Sequence, residues 1–140
     1  MRFVMFVKAS PESENGQLPS EEELLEMGRF NEEMANAGVM LGGEGLHPSA
    51  NGKKVRYDGD RRTVVDGPFT ETKELVAGFW LIQTNSWDEA LDWAKRVPFR
   101  EGEVEIRQIF EAEDFGENYT EEVREQEDRI RATMESHQPN

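Results

Sequence analysis

Two carboxylates stand out by their surroundings. Asp66 ends a β-branched run, Thr63-Val64-Val65, and opens the stretch Asp66-Gly67-Pro68-Phe69-Thr70-Glu71-Thr72-Lys73-Glu74. Glu44 is the one ionisable side chain inside Gly42-Gly43-Glu44-Gly45. A carboxylate held against an apolar strand is desolvated, which raises its pKa and fits it for general acid or base work. Asp66 and Glu44 are therefore the candidate catalytic residues. Lys73, Glu74, Glu105, Arg107 and His47 are the polar groups expected around them as substrate-binding residues. Lys73 or Arg107 can take a substrate carboxylate, and a histidine such as His47 is a residue type used as a general base. The plainer reading of Asp66 is a turn cap that holds its loop through backbone N–H groups. For the Lys–Glu and Glu–Arg pairs it is a structural ion pair.

Several other chemistries drop out. The chain has no cysteine, so disulfides, thiolate nucleophiles and cysteine-based metal centres are excluded. Two histidines, His47 and His137, make no convincing metal set, and neither a metal nor a cofactor is expected. Gly42–Gly45 lacks the following helix and basic residue of a phosphate cradle. A net charge of −14 argues against nucleic acid and against anionic membrane surfaces as partners. The apolar run Phe3–Val7 is too short for a signal peptide, and Leu75–Ile82 is too short to cross a bilayer. The expected location is the cytoplasm.

The elements that must position these groups follow from local pattern. Phe3–Val7 and Leu75–Ile82 are apolar at every position, as in strands covered on both faces. Residues 9–19 read as a loop. Ser20 with Glu23 has capping-box spacing, and Leu24, Met27, Phe30 and Met34 repeat at helical intervals up to Gly38. Val39-Met40-Leu41 begins a strand that the glycines interrupt, through a bulge or a close approach by another group. Lys53–Tyr57 and Arg61–Val65 flank Asp58-Gly59-Asp60 as a basic hairpin. Ser86 with Glu89 starts a second helix whose inner face is Trp87, Ala90, Leu91 and Ala94, ending near Pro98. Glu103–Phe110 alternates as a final strand. Residues 1–110 thus form one domain, and 111–140 an acidic extension with a helix opened by Asn118.

Without the hairpin the order is β-α-β-β-α-β, a ferredoxin-like α+β sheet. Two helices cover only one face of such a sheet. Strands apolar on both faces therefore predict a homodimer, two sheets face to face in a dimeric α+β barrel. The competing cover is the C-terminal helix.

Gly42-Gly43-Glu44-Gly45-Leu46, Asp66-Gly67-Pro68-Phe69 with Glu71-Thr72-Lys73-Glu74, Gly78-Phe79-Trp80-Leu81-Ile82, Glu89-Ala90-Leu91 with Trp93-Ala94, and Val104-Glu105-Ile106-Arg107 resemble the YCII-related family, and within it the DGPF-motif branch. The resemblance covers residues 1 to about 110. It implies a dimeric ferredoxin-like α+β barrel. Some relatives are regarded as lyase- or isomerase-like, with a His on the first helix and an Asp late in the second, just before a Pro. Here the helix over 20–37 has no His, and Arg96-Val97 precede Pro98, so that pair does not carry over. The resulting expectation is a protein that binds a small polar organic molecule, with the capacity for cofactor-free isomerase- or lyase-like acid/base chemistry. The alternative is a non-catalytic ligand-binding or regulatory module.

Overall fold

A computed structural model describes residues 1–139, the Thr72 side chain excepted. The chain divides into two units, Met1–Ile109 and a C-terminal unit from Phe110 onward.

In the first unit four strands form an antiparallel sheet: β1 (Arg2–Lys8), β2 (Met40–Gly45), β5 (Val76–Gln83) and β6 (Val104–Gln108). Their order is β2-β5-β1-β6, so the two fully apolar strands lie at the centre. Helices α2 (Glu21–Asn36) and α3 (Trp87–Lys95) complete the β-α-β-β-α-β order, and the unit is a ferredoxin-like α+β domain. The hairpin of β3 (Lys53–Asp58) and β4 (Arg61–Asp66) is a separate two-stranded ribbon. Its last pair is Asp58 with Arg61, so the turn is the two residues Gly59-Asp60 rather than the three read from sequence.

Helix α2 begins where its local chemistry dictates. The Ser20 side chain accepts from the Glu23 N–H, and Glu23 returns to the Ser20 N–H. Gly38 follows the helix at φ 73°, a conformation that costs a residue without a Cβ little. Helix α3 has the Ser86 cap, but the Glu89 carboxylate reaches the Asn85 N–H instead of that of Ser86.

Both helices pack on one face of the sheet. Phe3, Met5, Trp80 and Ile82 are buried there with Phe30, Met34, Ala90, Trp93 and Val97. Phe30 meets Trp80 edge-on at 5.6 Å between ring centroids, and Trp80 Nε1 donates to Asn31 Oδ1 at 2.9 Å. Of the inner face expected for α3, Ala90 is buried and Ala94 packs against the core. Trp93 and Val97 are core, whereas Leu91 is exposed and Trp87 sits at the margin, edge-on to Phe3 at 4.8 Å. Leu24, expected on the apolar stripe of α2, is exposed as well. Within 9–19, Ser10 caps a short helix α1 (Pro11–Glu14) with Ser13 as its reciprocal partner, a local hydrogen-bond pattern that the Pro and Gly around it disguise.

The glycines interrupt β2 as a bulge without breaking it. The strand runs through them to Gly45, with a register shift between Met40 and Gly42. Gly43 lies opposite Trp80, and a Cβ there would fall 2.8 Å from Trp80 Cδ1. The close approach expected from the glycines is that of the indole. Gly42 points to the other face, where a Cβ would meet nothing within 4 Å.

The C-terminal unit holds a 3-10 stretch (Ala112–Asn118) and helix α4 (Glu121–Ser136). The helix is capped by Thr120, not Asn118, because the Thr120 hydroxyl accepts from the Val123 N–H. Phe110, Phe115 and Tyr119 stack in series at 4.9 and 5.9 Å. Ile130 and Met134 on α4 remain exposed.

The two neighbouring glycines give an internal comparison. Gly43→Ala is expected to destabilise the fold by about 1–3 kcal/mol through overpacking on Trp80. Gly42→Ala is expected to stay within about 0.5 kcal/mol of the parent. Denaturant unfolding of both variants checks this, and equal losses would show that Trp80 is not what requires Gly43.

Candidate functional site

The sheet register sorts side chains by face. On β1 and β5, Phe3 pairs with Ile82 and Met5 with Trp80 on the helix side. Val4 pairs with Leu81 and Phe6 with Phe79 on the other side. These last four are only half-buried. The same face carries Gly42 and Glu44 on β2, opposite Leu81 and Phe79, and Arg107 and Glu105 on β6, opposite Val4 and Phe6. One rung therefore reads Glu44, Phe79, Phe6, Glu105, and the next reads Gly42, Leu81, Val4, Arg107. Three strand spacings separate Glu44 from Glu105, roughly 14 Å along the rung.

The two ends of the first rung differ in electrostatics. Glu105 is compensated: Lys8 Nζ lies 3.0 Å from Oε1, and Arg107 Nη1 lies 3.4 Å from Oε2. The Lys8 hydrogen bond and charge hold the Glu105 carboxyl below the usual carboxylate range, with Arg107 adding to the effect. Glu44 is exposed, and its side chain finds no hydrogen-bond or ion-pair partner among the described residues.

Asp66 lies elsewhere. It ends β4, opposite Lys53, whose Nζ approaches its Oδ1 at 2.6 Å. Its side chain is 72% exposed, so the burial expected to make it a proton donor is missing in the single chain. The turn-cap reading also misses its main contact, which is this cross-strand ion pair. The loop after Asp66 is held from a distance instead. The Glu14 carboxylate accepts from both the backbone N–H and the hydroxyl of Ser49, and the same hydroxyl oxygen accepts from the Phe69 N–H at 3.0 Å. Gly67 donates to the Gly52 carbonyl at 2.9 Å, and Lys54 Nζ sits 4.1 Å above the Phe69 ring. A Cβ on Gly67 would fall 1.7 Å from the Ser49 carbonyl oxygen, so the turn admits only glycine there.

The remaining candidates are dispersed. His47 Nδ1 accepts from Asn51 Nδ2 at 3.1 Å on an exposed turn. Lys73 and Glu74 lie exposed on the 3-10 turn Thr72–Glu74, without side-chain partners among the described residues. Of the expected cluster, only Glu105 and Arg107 meet, and Glu44 shares their face. An open groove of about 350 Å³ between α3 and β6 is lined by Val97, Phe99 and Val104 among others, and touches none of the candidates except by lying beside β6. Among the described residues no three His, Asp or Glu side chains gather as metal ligands, and no helix is long and apolar enough to cross a membrane. Sequence reasoning missed Lys8. Its partnership with Glu105 follows from the antiparallel register of β1 and β6, which periodicity within one strand does not reveal.

The model of the YCII-related domain matches residues 1–113, and the chain belongs to that family. An uncharacterised protein of Rhizobium meliloti is 46% identical over 50 residues, which is 36% of this chain and 40% of that protein. This chain thus spans less than half the length of that relative. Among solved structures, 5-chloro-2-hydroxyhydroquinone dehydrochlorinase from Burkholderia phenoliruptrix, in complex with 2,5-dihydroxybenzoquinone, aligns with a TM-score of 0.45. Its identity is 16%, over 79% of this chain and 94% of that one.

The Lys8–Glu105 pair has a titration signature. A carboxyl with a depressed folded-state pKa adds stability that is present above its unfolded pKa and lost as pH falls through the folded value. Lys8→Met is expected to return the Glu105 carboxyl toward the ordinary range and to lessen that acid-limb dependence, Arg107 keeping the remainder. Side-chain carboxyl titration by NMR checks it; an unmoved Glu105 would show that Lys8 is not the cause.

Proposed function

We propose that this YCII-related chain, of the DGPF-motif branch, works in the cytoplasm as a homodimer whose open sheet faces close on one another. In this reading the closed face binds a small polar organic molecule, and Glu44 serves as a general base for cofactor-free proton transfer of the isomerase or lyase type. The observation that carries the proposal is the uncompensated Glu44 carboxylate on the same rung and face as Phe79 and Phe6. A second apolar sheet over that face would strip water from the carboxylate and strengthen it as a base. Lys8 and Arg107, with Glu105, supply polar groups at the far edge for orienting a ligand. Asp66 is the second candidate base; its ion pair with Lys53 argues for a role in holding the ribbon.

A non-catalytic binding module is the second reading. It is favoured by the exposed, paired Asp66 and by the lack of a His on α2 and of an Asp just before Pro98.

Exchange of the α-hydrogens of cyclohexanone into D2O, followed by NMR, separates the two. A Glu44 base takes the proton, leaves an enolate and returns a deuteron. The catalytic reading predicts exchange accelerated by the protein, lowered at least tenfold in Glu44→Gln and retained in Asp66→Asn. Exchange that fails only in Asp66→Asn moves the base to the ribbon. Exchange no faster than in buffer leaves the binding module.

A further inference from the structure

We infer that the outer edge of β6 is an interface for a second copy of this chain, which adds its own β6 antiparallel about a two-fold axis at Ile106. The inference does not rest on the pairing of the open faces, because it uses the backbone edge of the sheet and the groove on its helix side.

The strand order leaves β2 and β6 as the edges of the four-stranded sheet. An edge strand presents unpaired N–H and C=O groups to any strand that can match them. Edge β2 is blunted by its glycines and by the register shift between Met40 and Gly42. β6 runs in unbroken register with β1 from Val104 to Gln108, and among the described residues no strand pairs with its outer side. The groups it offers follow from that ladder. The Lys8 N–H donates to the Glu103 carbonyl, and the Ile109 N–H donates to the Arg2 carbonyl. Hydrogen-bonded pairs alternate in an antiparallel ladder, so Glu105 and Arg107 also bond inward to β1. The N–H and C=O groups of Val104, Ile106 and Gln108 therefore point outward.

That parity fixes the register of the second copy. Ile106 opposite the partner's Ile106 sets Val104 opposite the partner's Gln108, and outward groups meet outward groups at each pair. Glu105 then falls opposite the partner's Arg107, and Arg107 opposite the partner's Glu105. These are the non-hydrogen-bonded positions of the new ladder, with Cα atoms about 4.5 Å apart. Opposite charges in that position stabilise a strand pair, and like charges oppose it. The Arg107 side chain can reach across, being 70% exposed and 3.4 Å from its own Glu105. A patch that is its own complement is what a two-fold interface requires. The helix side agrees. The groove between α3 and β6 leaves Leu91 41% and Phe99 40% exposed, and joining two β6 edges brings the grooves of both copies together across the axis. With only five residues from each copy, this ladder forms at higher concentration than a pairing of whole sheet faces.

Hydrogen exchange of the full chain, followed by NMR at low and at raised concentration, reads the edge directly. Protection of the Val104, Ile106 and Gln108 amides is expected to rise at least tenfold with concentration, while the Glu105 and Arg107 amides change little. Arg107→Glu and Glu105→Arg are each expected to abolish the rise, because each sets like charges opposite one another. An equimolar mixture of the two is expected to restore it, because unlike variants place opposite charges at both positions. Phe6→Lys, which breaks the pairing of the open faces, is expected to leave the rise in place, so that either reading can fail without the other. Should Glu105→Arg fail to fold beside Lys8, Gln108→Pro takes its place; it removes an outward N–H, keeps both charges and is expected to abolish the rise at Val104 and Ile106. The interface is overturned if the three amides exchange independently of concentration, whether fast, as at a free edge, or slowly, as at an edge the chain covers itself. It is overturned equally if an edge variant keeps the rise, if the mixture fails to restore it, or if Phe6→Lys abolishes it.

Discussion

A sheet with apolar residues on both faces has only two helices to cover it. That constraint organises the first unit. Phe3, Met5, Trp80 and Ile82 take the cover of α2 and α3 and are buried. Val4, Phe6, Phe79 and Leu81 alternate with them and stay half-buried. A large apolar side chain gains about 1.5–3 kcal/mol when moved fully out of water. Four such side chains left partly wet at the centre of a sheet are a standing cost, which a second apolar surface relieves. Glu44 stands on one edge strand of that face and Glu105 and Arg107 on the other, while Arg2 and Lys8 lie at the two ends of central β1, around an apolar middle.

Strand β2 serves two opposed requirements within three residues. On the helix side, Trp80 packs against Phe30, donates to Asn31 and lies against Gly43, where a Cβ would fall 2.8 Å from the indole. On the open side, Gly42 leaves space and Glu44 stands beside Phe79 without a counter-ion among the described residues. One glycine is set by packing on the indole; the other sits at the register shift between β2 and β5 and faces open space.

What could be read in the chain depended on how far apart the cooperating residues lie. The caps at Ser20 and Ser86, the Gly38 stop and the central apolar strands are set within a few residues, and the ferredoxin-like order follows from them. The Lys53–Asp66 pair was within reach, since a two-residue turn at Gly59-Asp60 puts those residues opposite each other. The Glu14–Ser49–Phe69 clamp joins residues 35 and 20 positions apart, and no local pattern announces it. The glycines of β2 announced a bulge or a close approach, and both are there, but that the approaching group is Trp80 follows only from the ladder with β5. For the site, residue types singled out Glu44 and Asp66 equally. Only the three-dimensional register separates a lone carboxylate on the sheet from a paired one on an exposed ribbon.

Sedimentation equilibrium of the full chain in dilute solution tests the central claim most directly. Pairing of the open faces predicts a species of twice the 16.1 kDa chain mass that splits when Phe6 or Leu81 is replaced by Lys. A single 16.1 kDa species, or a dimer indifferent to charges placed at those two positions, would contradict it.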